Sequence, residues 1–480
     1  MNQMTHDFSI RRGRKALLLR HQQIAAFIAT TLIFLTLHKI MGVAVFPWDS
    51  GNYWKLSSID NLLNFPKTIR GYFYPALLSP ARYASDTFDA LGYFPYRIIT
   101  SVVYGYFFAI LIPKFYLQLF GGQVSFGRRL ITPLLVAVLF PGVIVYPLSD
   151  LPALALMVCA SICVLSSACT AGAFKRYALL VLSGILAYGA YNSRSIYLFP
   201  AGLLAIGLPF IIFVKSGVRI RVFATIAFLI GAAVASIPQV AINYKNENSL
   251  SPLLITTSLY NRSLFANQLL WGITLQRYET SIDKNSPGPE VFYLDRAGEK
   301  LFTKNNIGAS AFELETYLRL VISNPLDFLG IYGRHIINGL DLRDGEVYTK
   351  TSLKNRDAFA LLSFLVLFAG LSVIVLNRTT NRPETDQQHS PLFWSLVLLL
   401  PVVAVIPGAV ESRFFLAAHL SAYCALAYSS DFDAIKSLLR RHWLVVSIAL
   451  IISATLFFSI STTTQAGIQH TYPPLYRGQW

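Results

Sequence analysis

Residues 24–46 read IAAFIATTLIFLTLHKIMGVAVF and run directly into Phe46-Pro47-Trp48-Asp49-Ser50-Gly51-Asn52-Tyr53-Trp54. The apolar stretch is long enough to span a membrane, since a bilayer core about 30 Å thick needs roughly 20 such residues in a helix. The segment after it sets a carboxylate among aromatic rings at the outer membrane edge. Basic residues from Arg11 to Arg20 precede the span, which lacks a small-residue cleavage site and reads as an uncleaved signal anchor.

Ten further stretches repeat the pattern: 94–119, 130–147, 150–172, 177–192, 195–214, 222–242, 357–376, 391–410, 413–429 and 443–461. A helix satisfies its own backbone polar groups and is therefore the form an apolar segment takes in lipid. The expected fold is an all-α polytopic membrane protein of about eleven transmembrane helices with helical outer loops. Composition agrees: 54% of the 480 residues are hydrophobic and 13% charged, where a soluble domain carries about 25% charge. Cys159, Cys163 and Cys169 lie in one apolar stretch and Cys424 in another, placing them as small lipid-buried side chains rather than disulfide or metal ligands.

The net charge of +16 points to membrane topology rather than to nucleic acid. Arg11 to Arg20, Arg128/Arg129, Lys175/Arg176, Lys215/Arg219/Arg221, Arg378/Arg382 and Lys436/Arg440/Arg441 fall on one side in alternating order. By the positive-inside rule that side is cytoplasmic. The N-terminus is then cytoplasmic and the tail from Ser461 lies outside, in a periplasm if the membrane is a bacterial inner membrane.

Three regions follow: a membrane module over 1–242 with a first outer loop at 46–93, a large outer loop at 243–356, and a second membrane module with a short tail at 357–480. In the first loop Leu56, Ile59, Leu62 and Leu63 recur at helical spacing and suit helices lying along the interface. The large loop holds apolar patches at 253–275, 312–322 and 326–337, separated by polar turns such as 283–289, which predicts several short helices. Residues 377–390 read as a flexible polar loop.

Four charged positions occupy outside turns. Asp49 suits a base or charge partner for an acceptor hydroxyl, or an Asp capping the next helix in an aromatic belt. Asp150, in Tyr146-Pro147-Leu148-Ser149-Asp150-Leu151-Pro152, either positions an acceptor or a divalent ion, or caps the apolar helix that follows. Arg194, in Tyr191-Asn192-Ser193-Arg194-Ser195, and Arg413, in Val410-Glu411-Ser412-Arg413-Phe414-Phe415, run against the positive-inside trend. A guanidinium fork matches phosphate oxygens, so both are candidates for a lipid-phosphate leaving group; the alternative is snorkelling or pairing with Asp49, Asp150 and Glu411 for stability. Glu411 orients Arg413 or binds the acceptor. Lys67, Arg82, Arg262, Arg277, Arg319, Arg334 and His335 read as ordinary solvated charges.

No P-loop, dinucleotide fingerprint, paired-histidine zinc helix or nucleophile elbow is present. A site facing away from cytoplasmic nucleotide pools draws its donor through the membrane as a lipid.

The layout, the WDSGNYW segment and Arg70-Gly71-Tyr72-Phe73-Tyr74-Pro75 resemble the GT-C superfamily of membrane glycosyltransferases, which includes protein O-mannosyltransferases, aminoarabinose transferases of lipid A and GPI mannosyltransferases. The resemblance implies transfer of a sugar from a polyprenyl-phosphate donor to a glycan, lipid or protein acceptor, with inversion. It implies Asp49 and Asp150 as catalytic acids and Arg194 and Arg413 as phosphate ligands. Trp48, Tyr53, Arg70, Tyr74 and Glu411 support them or bind the acceptor. No organic cofactor is implied. Ser50 stands where some members carry a second carboxylate, so any metal would have to rest on Asp49 and Asp150. The rival functions are an envelope polysaccharide polymerase or O-antigen ligase, resting on Arg262, Arg334 and His335, and a transporter or lipid flippase.

Overall fold

A computed structural model describes residues 2–120, 124–256, 264–282, 290–305, 312–343, 347–348, 356–380, 390–429, 432–465 and 468–469; at 2–19, 376–380, 432–442, 465 and 468–469 the description is of the backbone alone. Arg262, Arg382 and the 283–289 turn lie outside the described residues, as does most of the 377–390 loop.

The protein is an all-α polytopic membrane protein with one small sheet. Among the described residues, seven helices are long and apolar enough to cross a membrane: Arg20–Met41, Phe94–Phe120, Asp150–Ala168, Ser195–Ile212, Val218–Glu247, Asp357–Val375 and Trp443–Thr464. The other four expected stretches are helical as well, at Phe126–Leu139 with Gly142–Val145, Ala173–Ser193, Pro391–Val405 and Leu416–Tyr428. All four cysteines are free.

Asp150–Ala168 is the central helix, with 72% of its apolar window inside the protein; in Trp443–Thr464 that share is 11%. Lipid tails are as apolar as Leu, so helices in a membrane gain little by hiding apolar surface from one another and are held by close packing and internal hydrogen bonds. Small residues supply the closeness here. A Cβ added at Gly184 would stand 1.9 Å from the Phe228 carbonyl oxygen, and one at Gly231 1.9 Å from that of Val181, so Ala173–Ser193 and Val218–Glu247 meet backbone to backbone. Ser183 Oγ donates across to the Ala160 carbonyl at 3.0 Å, tying Ala173–Ser193 to the central helix.

Leu416–Tyr428 has an arginine at each end. Arg413 lies just before its first turn, while Arg128 Nε donates to the Ala427 carbonyl at 2.9 Å at its far end. These two arginines are therefore about 20 Å apart along the axis of a 13-residue helix.

The first loop folds as Trp48–Leu56, Ile59–Leu63 and Phe73–Thr87. The apolar spacing from Leu56 to Leu63 is split between two helices, because Ser57 ends one, donating its Oγ to the Trp54 carbonyl, and Ser58 Oγ caps the next by accepting from Asn61 N–H. Ile59 and Leu63 stay exposed, as interfacial residues do.

The large loop contains Leu264–Thr274, Leu314–Ser323 and Pro325–Gly339, which fall on its apolar patches, and Arg296–Lys304, which lies between them. It also contains strands that a purely helical reading leaves out. β1 (Leu275–Thr280) pairs antiparallel with β2 (Glu290–Leu294), and β2 with β3 (Ile468–Gln469). β3 follows the last membrane helix, so the tail and the large loop share one side of the membrane. Leu269, Ile273, Phe302, Phe328 and Ile331 belong to a separate buried cluster in this large loop. There the hydrophobic effect does operate, at roughly 1.5–3 kcal/mol for each large side chain removed from water.

Candidate active site

The site begins at the exit of the first membrane helix. Trp48 opens the Trp48–Leu56 helix at φ +46°, a left-handed conformation that costs a bulky residue about 1–3 kcal/mol and persists only where its surroundings hold it. Its Nε1 donates to the Ser281 carbonyl at 3.2 Å. A Cβ at Gly51 would lie 2.5 Å from the Phe46 carbonyl oxygen, so the turn closes only around glycine. Ser50 N–H donates to Tyr348 Oη at 3.1 Å. This tight exit fixes Asp49 in the first turn of the helix.

Asp49 caps nothing; no side-chain cap is formed at that helix start. Its Oδ1 pairs with Arg70, and its Oδ2 accepts from Arg413 Nη2 at 2.9 Å. Burial alone would raise its pKa, but the Arg413 and Arg70 charges outweigh that and hold it down at about 2.

Arg413 follows the Pro391–Val405 helix and is 7% exposed. Its Nε and Nη2 grip Glu411 at 2.7 and 2.9 Å, and its Nη1 lies 3.9 Å from Asp150 Oδ2. Burial pushes the Glu411 pKa upward, against the pull of Arg413.

Asp150, 4% exposed, sits in the first turn of the central helix and pairs with Arg194. Ser149, before it, makes no side-chain cap; its Oγ accepts from Tyr53 Oη at 3.0 Å. The Phe414 ring lies 4.3 Å from the Arg194 guanidinium and 5.6 Å from that of Arg413, an aromatic ring near two cations.

Arg70 is positioned by the residue after it. A Cβ at Gly71 would stand 2.1 Å from the Asn192 carbonyl oxygen, and Phe73 N–H donates to Asn192 Oδ1 at 2.8 Å. Asn192 in turn donates to Gln239 Oε1 at 2.9 Å. The first loop is thus clamped against two membrane helices, with Arg70 at the clamp.

Asp49, Tyr53, Arg70, Arg194, Glu411 and Arg413 all line one cavity of about 600 Å³. Asp150 lies behind it, reaching it through Arg194 and Arg413. Two expected supporting residues are elsewhere. Tyr74 is 2% exposed and packs edge-on against Tyr53 at 5.0 Å, inside the core. Trp48 does not line the cavity either and serves the turn.

Two residues read as ordinary solvated charges are in fact buried. Arg277 is 0% exposed, donating from Nη1 to the Asn338 and Asp341 carbonyls and pairing with Glu279. His335 is also 0% exposed, its ring nitrogens 2.6 Å from the Ile406 carbonyl oxygen and 3.0 Å from that of Leu275. Arg277 ties its strand to the end of the Pro325–Gly339 helix, and His335 ties that helix to Ile406 after the Pro391–Val405 helix, which only the tertiary fold discloses. Arg334 pairs with Asp295 at 2.7 Å. Lys67 pairs with Glu247, Arg82 with Asp86 and Arg319 with Glu315, all with at least partial exposure.

The cavity also takes in Tyr278 and Phe414, which the sequence did not single out. Tyr278 belongs to β1, and its N–H donates to the Val410 carbonyl at 3.0 Å, joining the strand to the turn that bears Glu411 and Arg413.

No family model and no curated protein matches the sequence. Among solved structures, the chain is similar to the oligosaccharyltransferase AglB of the archaeon Archaeoglobus fulgidus. A complex of that protein with an inhibitory peptide and a dolichol-phosphate gives a TM-score of 0.45 at 15% identity, over 93% of this chain and 56% of that one. A complex with Zn and sulfate gives 0.45 at 15%, over 91% and 53%. A form tethered to an acceptor peptide containing the NVT sequon gives 0.46 at 16%, over 92% and 55%. The chain spans about half the length of these structures.

Proposed function

We propose that the protein is a membrane glycosyltransferase that moves a sugar from a polyprenyl-phosphate donor to an acceptor on the outer face of the membrane, with inversion at the anomeric carbon. The observation that carries this reading is the meeting of Asp49 and Arg413, from opposite ends of the chain, on one cavity with Arg70, Arg194 and Glu411. A carboxylate beside several guanidinium groups is the equipment for single-step displacement from a phosphate leaving group.

In that step the acceptor hydroxyl passes its proton to Asp49 while its oxygen bonds the anomeric carbon. The bond from that carbon to the phosphate oxygen breaks, and the electron pair leaves with the phosphate. Arg413 and Arg194 face the developing charge, which preorganised donors stabilise more in the transition state than in the ground state. When the phosphate engages Arg413 and Arg70, the carboxylate of Asp49 loses ion-pair partners and gains basicity. Asp150 and Glu411 position the two arginines. The acceptor is a glycan, lipid or protein, and the setting a bacterial inner membrane with the N-terminus cytoplasmic and the C-terminal tail periplasmic.

The contacts of Arg334 and His335 favour this reading over a polymerase or ligase, because Asp295 and two backbone carbonyls occupy them away from the cavity. The test is donor consumption by the purified protein in nanodiscs. Polyprenyl-phosphate sugars with envelope extract as acceptor should release one polyprenyl phosphate per sugar transferred, with inverted anomeric configuration. Transfer from nucleotide sugars, or none from any lipid-phosphate sugar, refutes the proposal.

A further inference from the structure

We infer that the Arg413 guanidinium is the fixed cation of this site, standing among Asp49, Asp150 and Glu411 where a divalent metal would otherwise be required. The inference rests on the transferase reading for its catalytic meaning but not for its test.

Three carboxylates brought together repel one another unless positive charge lies between them. Two solutions exist. A divalent ion gathers carboxylate oxygens at about 2.0–2.6 Å in a six- to eight-fold shell. A guanidinium instead offers five N–H donors in a planar fork.

The second solution is built here. Arg413 Nη2 donates to Glu411 and to Asp49, each at 2.9 Å, while its Nε lies 2.7 Å from Glu411 and its Nη1 3.9 Å from Asp150. The remaining oxygen of Asp49 is held by Arg70, and the other of Asp150 by Arg194. Three acids thus face three arginines, and the cluster is already neutral. A metal entering it would add two charges to a balanced site and would have to displace a guanidinium packed against the Phe414 ring. The carboxylates do not fit the donor set of a metal centre; among the described residues no group of three or more His, Cys, Asp or Glu could hold one. Ser50, in place of a second first-loop carboxylate, agrees with this.

Phe414 has a place in the same scheme. Two arginines side by side repel each other, and the Phe414 ring, near both Arg194 and Arg413, offsets part of that repulsion. A bound metal would gain nothing from that ring.

The experiment is a Mn²⁺ titration of the full chain in nanodiscs, read by electron paramagnetic resonance, with donor turnover measured with and without EDTA. The wild-type protein should bind no Mn²⁺ at the site, and EDTA should leave turnover unchanged. Arg413→Ala should lower turnover by about 100-fold or more and gain one Mn²⁺ site that Asp49→Asn then removes. Stoichiometric Mn²⁺ on the wild type that is lost in Asp49→Asn or Glu411→Gln overturns the inference. So does EDTA inactivation reversed by Mn²⁺, or a folded Arg413→Ala protein that binds none. If Arg413→Ala does not fold, the wild-type titration decides alone. If no donor turns over at all, the transferase reading fails while the metal measurement still stands or falls by itself.

Discussion

Arg413 Nη2 lies 2.9 Å from Asp49 Oδ2, although 364 positions separate the two residues in the chain. The first membrane exit and the turn after Pro391–Val405 reach the same cavity only when the membrane modules pack together, so the pair reports assembly of the whole site. Arg413→Lys is therefore not conservative. An ammonium cannot hold Glu411 through two nitrogens and still reach Asp49. Donor turnover should fall by about 100-fold with normal expression, and a double-mutant cycle with Asp49→Asn should show losses well short of additive.

Asp49 should leave a signature in acid. Its folded pKa, about 2, lies below the ordinary 3.8. A depressed carboxyl contributes stability that is present above the unfolded pKa and is lost as pH falls through the window from 3.8 toward 2. Thermal unfolding in nanodiscs across pH 2–6 should show the wild type losing stability in that window, and Asp49→Asn losing less. Equal acid sensitivity of the two proteins contradicts the assignment.

Gly71→Ala tests the clamp. The added methyl would stand 2.1 Å from the Asn192 carbonyl oxygen, and the first loop must shift to make room, taking Arg70 with it. A displacement near 1 Å can cost about 100-fold in rate. The expected outcome is a fall in kcat with the protein still folded, measured as turnover per molecule recovered after size exclusion. Unchanged turnover would mean that Arg70 is not set by this contact.

His335→Ala separates structure from chemistry. The imidazole lies between the Leu275 and Ile406 carbonyls, and burial draws its pKa downward, so the neutral ring donates its one N–H to one of them. Removing it leaves a buried carbonyl without its donor, at a cost of about 1–3 kcal/mol. Tm should fall while turnover per folded molecule stays near that of the wild type. Full stability with lost turnover would instead favour the polymerase reading.

Much of this site was legible in the sequence because charge is costly at membrane depth. Asp49, Asp150, Arg194 and Arg413 each stand at a turn between or beside apolar spans, and the fold brings all four together. Tyr278 and Phe414 were not legible. An aromatic residue among apolar neighbours carries no sign of the partner it will meet, and β1 and β2 are too short to stand out from the helical patches around them. Arg277 and His335 misled for the opposite reason, since burial of a charged or polar side chain in an outer loop depends on carbonyls up to 71 positions away.

The most direct measurement is the turnover of Asp49→Asn, an uncharged isostere, in nanodiscs supplied with a polyprenyl-phosphate sugar and envelope acceptor. Loss of a positioned base predicts a fall of about 100-fold or more, with folding intact. Turnover equal to that of the wild type would contradict the account.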